Sequence, residues 1–223
     1  AIRSNAILND IKLVSNTSSY QGGGIYSEYS NLDITNVILS GNSANNGGAG
    51  LLIYESSLMG ENIVAFDNIS TLNGGFIHLY TSSASFNHTT IINNAAPNGP
   101  AVYSRINSTV EMINSILWNN SDNPFFQDAD STIVISYSNV EGGFEGSENF
   151  NINPWFTDPE SHIYNLSENS RCLGAGYDTT FITSTDIDGN PRPNPAGSNP
   201  DIGAYENPLA EPTIIVEVQN LNI

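Results

Sequence analysis

The stretch Asn36-Val37-Ile38-Leu39-Ser40-Gly41-Asn42 decides the fold, because related stretches return every 26 residues along the chain. They occupy residues 62–68, 88–94 and 114–120, and 10–16 on the upstream side. Repetition at a fixed period of this size is typical of a solenoid. The last position of the unit is asparagine in all five copies, namely Asn16, Asn42, Asn68, Asn94 and Asn120.

Other positions keep the same register, and their pattern predicts strands rather than helices. Leu32-Asp33-Ile34-Thr35 alternates apolar and polar residues, which is the period of a half-buried strand. One coil of this length holds about three short strands, and stacked coils pair in parallel at ~4.8 Å. We therefore predict an all-β fold: a single right-handed parallel β-helix with 26-residue coils, a C-terminal cap and a β tail.

Two stacked columns of turn residues follow from this register. Side-chain amides both donate and accept hydrogen bonds, so the asparagine column predicts a structural ladder inside the turn. Asn16 and Asn68 also begin Asn-x-Ser/Thr triplets, so glycan attachment is the alternative at those two positions. A second turn is predicted where glycine recurs, at Gly22, Gly48 and Gly74, with Pro100 in the fourth place.

The chain changes character after its first half. All eleven prolines lie from Pro97 onward, and the register loosens after Asn120. We predict that residues 1–143 form the coils and that residues 144–206 form the closing coils and a cap over the C-terminal end.

Residues 207–223 are predicted to form a linker and a β-strand tail, in which Ile214, Val216 and Val218 share one face. The N-terminal end shows no cap in the sequence. One hypothesis is that the tail of one subunit contacts the open end of the next, which would give a head-to-tail filament. The alternative is that the tail leads into a further domain or a sorting segment.

Composition restricts the partners. The chain carries 23 acidic and 5 basic residues, a formal net charge of -18. Nucleic acid is excluded as a partner, because phosphate binding needs clustered Lys and Arg. Membrane insertion is not expected, since no stretch approaches the ~20 apolar residues of a span. The acidity favours either solubility outside the cell or binding of Ca²⁺, the one cofactor that the composition indicates.

Candidate binding residues are few. Asp186 and Asp188 resemble half of a Ca²⁺ loop, but the loop lacks its bidentate acid, and a turn in which Arg192 pairs with one of them is the alternative. Tyr54 and Tyr80 share a column and are candidate glycan contacts, with side-chain packing as the alternative.

Catalytic residues are not apparent. A lyase acting on an acidic polysaccharide needs a base and nearby cations, and the five basic residues do not cluster in the sequence. A glycoside hydrolase needs two carboxylates at a defined separation, and no column holds an acidic cluster. We assign no catalytic residue.

Two resemblances to known families appear. Gly22-Gly23-Gly24-Ile25 and Leu39-Ser40-Gly41-Asn42, with their repeats over the first 120 residues, resemble the repeats of polymorphic outer-membrane adhesins. Asn153-Pro154-Trp155-Phe156 and Asp201-Ile202-Gly203-Ala204-Tyr205-Glu206 resemble the end of secreted bacterial β-helix proteins of the choice-of-anchor type. The second resemblance implies export and a cell-surface or extracellular location, and it implies no reaction.

We therefore expect a non-catalytic extracellular structural or adhesive element of a bacterial surface or secreted protein. Its expected partners are further copies of itself, head to tail, or surface glycans. The alternative function is a polysaccharide-binding or polysaccharide-degrading module.

Overall fold

Six stacked coils form a parallel β-solenoid in the structure, a computed structural model that describes residues 1–178 and 183–213. The predicted all-β fold and its 26-residue coils are confirmed. The strands are β1 (Ala6–Val14), β2 (Thr17–Ser18), β3 (Ile25–Glu28), β4 (Asn31–Ser40), β5 (Ser43–Ala44), β6 (Leu51–Tyr54), β7 (Ser57–Phe66), β8 (Ile69–Ser70), β9 (Ile77–Tyr80), β10 (Ser83–Ile92), β11 (Val102–Arg105), β12 (Thr109–Ile113), β13 (Ile116–Trp118), β14 (Phe125–Gln127), β15 (Thr132–Ser136), β16 (Asn139–Val140), β17 (Phe156–Asp158) and β18 (Ile163–Leu166).

The coils form three parallel sheets, and only the first three coils contribute a strand to the third sheet. The largest sheet follows the order β1-β4-β7-β10-β12-β15, with β13 and β16 continuing the last two coils. A second sheet runs β14-β11-β9-β6-β3, and a third of two-residue strands runs β2-β5-β8. The only helix among the described residues is one 3₁₀ turn, Pro159–Ser161, and none there could cross a membrane.

The long strands bend sharply at one position. The residue at the bend has a left-handed backbone in each of the first five coils, with φ between 51° and 55°. Asparagine and aspartate tolerate this conformation better than other residues with a Cβ atom. The five residues at this corner are Asp10, Asn36, Asn62, His88 and Asn114.

Apolar side chains from all three sheets fill the interior. In the second coil Leu32, Ile34, Val37 and Leu39 are each at most 1% exposed. Their first-coil equivalents, on β1, pack on the same core but remain partly exposed. The core is thus open to solvent at the β1 end within the described residues.

The predicted glycine turn needs one correction. Gly22, Gly48 and Gly74 do have positive φ, as a tight turn requires, but the fourth member is Gly99 (φ 53°) and not Pro100. The offset between neighbouring coils is 25 at this turn, where β9 pairs with β11 and Ile77 lies opposite Val102, and it returns to 26 where Ser83 of β10 lies opposite Thr109.

The region predicted to close and cap the solenoid divides between two locations. The loop 141–150 adjoins the last coil, where Phe144 packs on the core and Phe150 bridges to Asn139. From residue 151 the chain turns back and runs along the side of the solenoid. We call residues 151–178 and 183–207 the flank segment.

The flank segment covers the outer face of the largest sheet beyond the corner. The β17–β18 hairpin and the chain around Ile202 and Ala204 pack on the outward-facing side chains there. Val64, Thr90 and Ile116 are each 1% exposed as a result. The candidate tail residues Ile214, Val216 and Val218 lie outside the described residues, and their role stays a prediction.

Candidate functional site

The asparagine column is an interior ladder, as predicted. Asn42 donates from Nδ2 to Asn68 Oδ1 at 2.9 Å, and Asn68 donates to Asn94 at the same distance. Each Oδ1 also accepts the backbone N–H of the coil before it, as Asn68 Oδ1 does from Asn42 at 3.1 Å. Asn42, Asn68 and Asn94 are fully buried. Burial excludes glycan attachment at Asn68 in the folded chain, because the amide is occupied inside the turn.

A second ladder lies at the outer corner. Asn62 Nδ2 donates to Asn36 Oδ1 at 3.0 Å, and Asn114 Nδ2 lies 3.2 Å from His88 Nε2, which therefore accepts. The flank segment contacts this ladder, since Asn62 Nδ2 also donates to Thr183 Oγ1 at 2.8 Å. Burial lowers the pKa of His88 well below its usual value, so the imidazole is neutral.

A buried polar cluster holds the flank segment together. Asp186, Arg192, Asp201 and Glu206 are each at most 6% exposed. Arg192 Nε lies 3.4 Å from Glu206 Oε2, and its Nη1 donates to the Gly203 carbonyl at 3.1 Å. Arg192 Nε and Nη2 have no well-aligned hydrogen-bond acceptor among the described residues, so the contact with Glu206 is an ion pair rather than a directed hydrogen bond.

The predicted pairing of Arg192 with Asp186 or Asp188 is wrong, because its ion-pair partner is Glu206. Asp186 accepts four hydrogen bonds, two on each carboxylate oxygen, from donors at residues 188, 190 and 206. Its coordination positions are therefore taken by the protein. Asp188 is exposed, and its Oδ2 lies 3.5 Å from Asn165 Nδ2. No group of three metal-binding side chains occurs in the described residues.

Two of the acids in this cluster, Asp201 and Glu206, have raised pKa values. Burial, and after it the charge of Glu206, raises the pKa of Asp201 to about 8. Burial also raises the pKa of Glu206 and lowers that of Arg192. Asp201 nevertheless accepts N–H groups from Gly174 and Asn207, both at 2.7 Å. The cluster therefore joins Gly174, in the middle of the flank segment, to the stretch 186–207 at its end.

Backbone contacts attach the same cluster to the coils. Gly203 donates its N–H to the Asn114 carbonyl at 2.8 Å, and Ala204 donates to Thr90 Oγ1 at 3.0 Å. Gly203 has a φ of 102°, which strains any residue with a Cβ atom, and a Cβ there would also lie 2.8 Å from Ile116 Cδ1, so glycine is favoured at this contact. The run 201–206 is thus a clamp between the flank segment and the solenoid.

Comparison with known proteins identifies no relative. No family model matches the chain, and neither a curated protein nor a solved structure matches it. What the chain can do is therefore read from its own geometry.

The tyrosine candidates lie together on the second sheet. Tyr54 and Tyr80 stack at 4.9 Å with an interplanar angle of 13°. Tyr29 meets Tyr54 edge-on at 5.8 Å, and the Arg105 guanidinium lies 5.7 Å from the centre of the Tyr80 ring. We call these four residues the tyrosine strip. Ring faces that stack on each other are covered, so the strip presents ring edges, hydroxyl groups and one cation.

Other carboxylates are separately engaged. Glu28 pairs with Arg3 at 2.7 Å, and Asp67 lies 3.6 Å from His162. Glu61 accepts the Thr183 N–H at 2.6 Å and lines a groove of about 440 Å³ on the outer face before the corner. Asp33 lines the same groove, and among the described residues that line it there is no lysine, arginine or histidine.

Sequence reasoning missed the clamp and the surface that it covers, although one signal was present. Ile38 and Leu39 are neighbours in the strand, and the residues at the equivalent positions of the following coils are largely apolar in both cases. Because neighbouring residues of a strand point to opposite faces, one of these two apolar sets must face outward. Two apolar faces indicate a strand covered on both sides. This pattern does not identify which segment of the chain covers the outward face of the sheet.

Proposed function

We propose that this chain is a non-catalytic structural and adhesive element of a bacterial surface or secreted protein. The observation that carries the proposal is that polar side chains in the turns form hydrogen bonds between neighbouring coils. The asparagine and corner ladders occupy two turns, and a serine ladder occupies a third, where Ser82 Oγ accepts the Ser56 N–H at 3.1 Å.

Location outside the cell rests on two supports. The resemblance of the Asp201–Glu206 run to choice-of-anchor proteins implies export. The surface is acidic, since of five basic residues Arg192 is buried and Arg3 is paired. A strongly anionic surface favours solubility and repels acidic polymers unless a cation bridges them.

The second candidate function is saccharide binding at the tyrosine strip. It is favoured by the alignment of two tyrosine hydroxyl groups and Arg105 along the solenoid axis. Because the ring faces are covered, recognition would rely on hydrogen bonds to hydroxyl groups rather than on stacking against a sugar ring.

One experiment tests both candidates. The purified chain is incubated with immobilised neutral and acidic polysaccharides, with and without Ca²⁺, and both retention and release of reducing ends are measured. Retention without cleavage supports adhesion, and loss of retention in Tyr80→Phe, but not in Tyr20→Phe, would assign it to the strip. New reducing ends formed by the chain would overturn the non-catalytic proposal.

A further inference from the structure

A shallow groove follows the turn between the second sheet and the long strands. It has a volume of about 630 Å³ and extends from the second to the fifth coil. Each of these coils contributes one residue of the turn and the first residue of the next long strand: Tyr29 and Asn31, Glu55 and Ser57, Thr81 and Ser83, and Asn107 and Thr109. We call these residues the turn groove. All but Glu55 carry a hydroxyl group or an amide, so the groove is polar and largely uncharged.

The floor of the turn groove is occupied by the protein, whereas its rim is available. On the floor, Ser82 Oγ accepts the Ser56 N–H at 3.1 Å, so these hydroxyl groups serve the serine ladder. Four side chains of the rim form no hydrogen bond within the part of the chain that the structure describes, namely those of Thr81, Ser83, Asn107 and Thr109. Their donors and acceptors are therefore free to bind a ligand.

The turn holds residues in a backbone conformation that their side chains disfavour. Tyr29, Glu55, Thr81 and Ile106 have left-handed φ angles of 52°, 44°, 50° and 56°. Asparagine and aspartate adopt this conformation more easily, and they occupy four of the five positions at the corner of the long strands. Backbone strain that is retained in this way is typical of binding sites.

The tyrosine strip borders the turn groove. Tyr80 directly precedes Thr81 of the groove, and Tyr29 belongs to both features. The Arg105 guanidinium, at the end of the strip, forms no ion pair among the described residues. Each coil therefore offers a ligand a rim hydroxyl or amide, and the strip adds tyrosine hydroxyl groups and one cation beside them.

The spacing of these groups indicates which class of polymer fits. Equivalent groups repeat along the axis at the coil spacing of ~4.8 Å. An extended polypeptide advances only ~3.3–3.6 Å per residue, so its residues would not meet equivalent groups in successive coils. The sugar units of an extended polysaccharide advance by a length close to one coil spacing. A net charge of -18 repels acidic polysaccharides, so a neutral one is favoured.

We propose that a neutral linear polysaccharide binds along the turn groove, parallel to the solenoid axis, with one sugar unit in each of four coils. The rim side chains and the strip hydroxyl groups exchange hydrogen bonds with sugar hydroxyl groups, and Arg105 donates to a sugar oxygen. The inference rests on the adhesive role proposed above, and it specifies the class of ligand, its direction and the residues that bind it.

Titration calorimetry with oligosaccharides of increasing length tests the geometry. The probes are cello-, manno- and xylo-oligosaccharides of two to six units, and oligogalacturonates of the same lengths serve as the acidic counterpart. We expect the affinity for at least one neutral series to rise with each unit up to four and then to level off, above that for oligogalacturonate. Absence of binding by every neutral series, an affinity that does not depend on length, or tighter binding of oligogalacturonate overturns the proposal.

Matched variants test the location of the site. Ser83→Ala removes a rim hydroxyl in the middle of the groove, and Ser121→Ala removes an exposed hydroxyl beside the asparagine ladder. Because one neutral hydrogen bond is lost, we expect Ser83→Ala to weaken binding of the four-unit oligosaccharide ~3–10-fold, and Ser121→Ala to bind it as the parent does. Equal affinities of the two variants overturn the proposal.

Thr81→Gly separates binding from stability. Glycine relieves the left-handed strain, so we expect this variant to melt no lower than the parent but to bind the oligosaccharide more weakly. Parental affinity overturns the proposal. If polysaccharide retains the chain equally in the parent, Ser83→Ala and Thr81→Gly, the turn groove is wrong and adhesion stands. Release of reducing ends overturns the non-catalytic role alone.

Discussion

Removal of one buried rung from the asparagine ladder should destabilise the solenoid far more than removal of its exposed end. Asn68 makes four side-chain hydrogen bonds: Oδ1 accepts from the Asn42 side chain and backbone, and Nδ2 donates to Leu39 and Asn94. Asn68→Ala deprives the Asn42 N–H of its acceptor and the Leu39 carbonyl of its side-chain donor. Each buried group left unpaired costs about 1–3 kcal/mol.

The Asn42 amide keeps its bond to Leu13, and Asn94 Oδ1 keeps the backbone N–H of residue 68. Loss of the hydrogen bonds from Asn68 to the side chains of Asn42 and Asn94 therefore costs less, because both of those groups keep another partner. We expect Asn68→Ala to lower the free energy of unfolding by about 3–5 kcal/mol. The matched control is Asn16→Ala, which removes one exposed donor, at 2.9 Å from Asn42 Oδ1, and costs about 0.5–1 kcal/mol.

Urea unfolding followed by far-UV circular dichroism measures both variants against the parent chain. Solenoids couple mainly neighbouring coils, so hydrogen exchange of the coils around residue 68 is a second readout of the same loss. If the two variants differed by less than about 1 kcal/mol, the ladder would be a consequence of stacking rather than a source of stability.

Three further results are expected. Gly203→Ala should speed amide exchange in residues 183–206 and leave the coils unchanged, because its Cβ would press on Ile116; unchanged exchange would contradict the clamp. The contribution of Asp201 to the free energy of unfolding should fall as pH rises from ~4 to ~8, because folded Asp201, with a pKa of about 8, keeps a proton that the unfolded carboxyl has lost. The difference in the free energy of unfolding between the parent and Asp201→Asn isolates this contribution, and a difference that does not change with pH would refute it. Gly74→Ala should lower the melting temperature more than Gly142→Ala does. Both glycines have positive φ, but only a Cβ on Gly74 would contact backbone, at 2.5 Å from the Ile77 carbonyl oxygen. Equal decreases would argue against crowding at this turn.

The local features of the coil were predictable because each depends on a residue and its copy one coil away. The parallel pairing, the interior asparagine ladder and the left-handed turn glycines follow from the 26-residue spacing. Pro100 was misassigned because the offset between neighbouring coils is 25 rather than 26 at this turn, and only pairing of β9 with β11 reveals it.

The sequence by itself determined the solenoid, its period and its ladders, because stacked identical residues satisfy one another wherever the period brings them together. Tertiary structure alone decided that residues 151–178 and 183–207 run along the side of the rod, that Arg192 pairs with Glu206, and that the Tyr54 and Tyr80 rings cover each other. These contacts join segments far apart in the chain, or depend on ring orientation, and neither follows from periodicity.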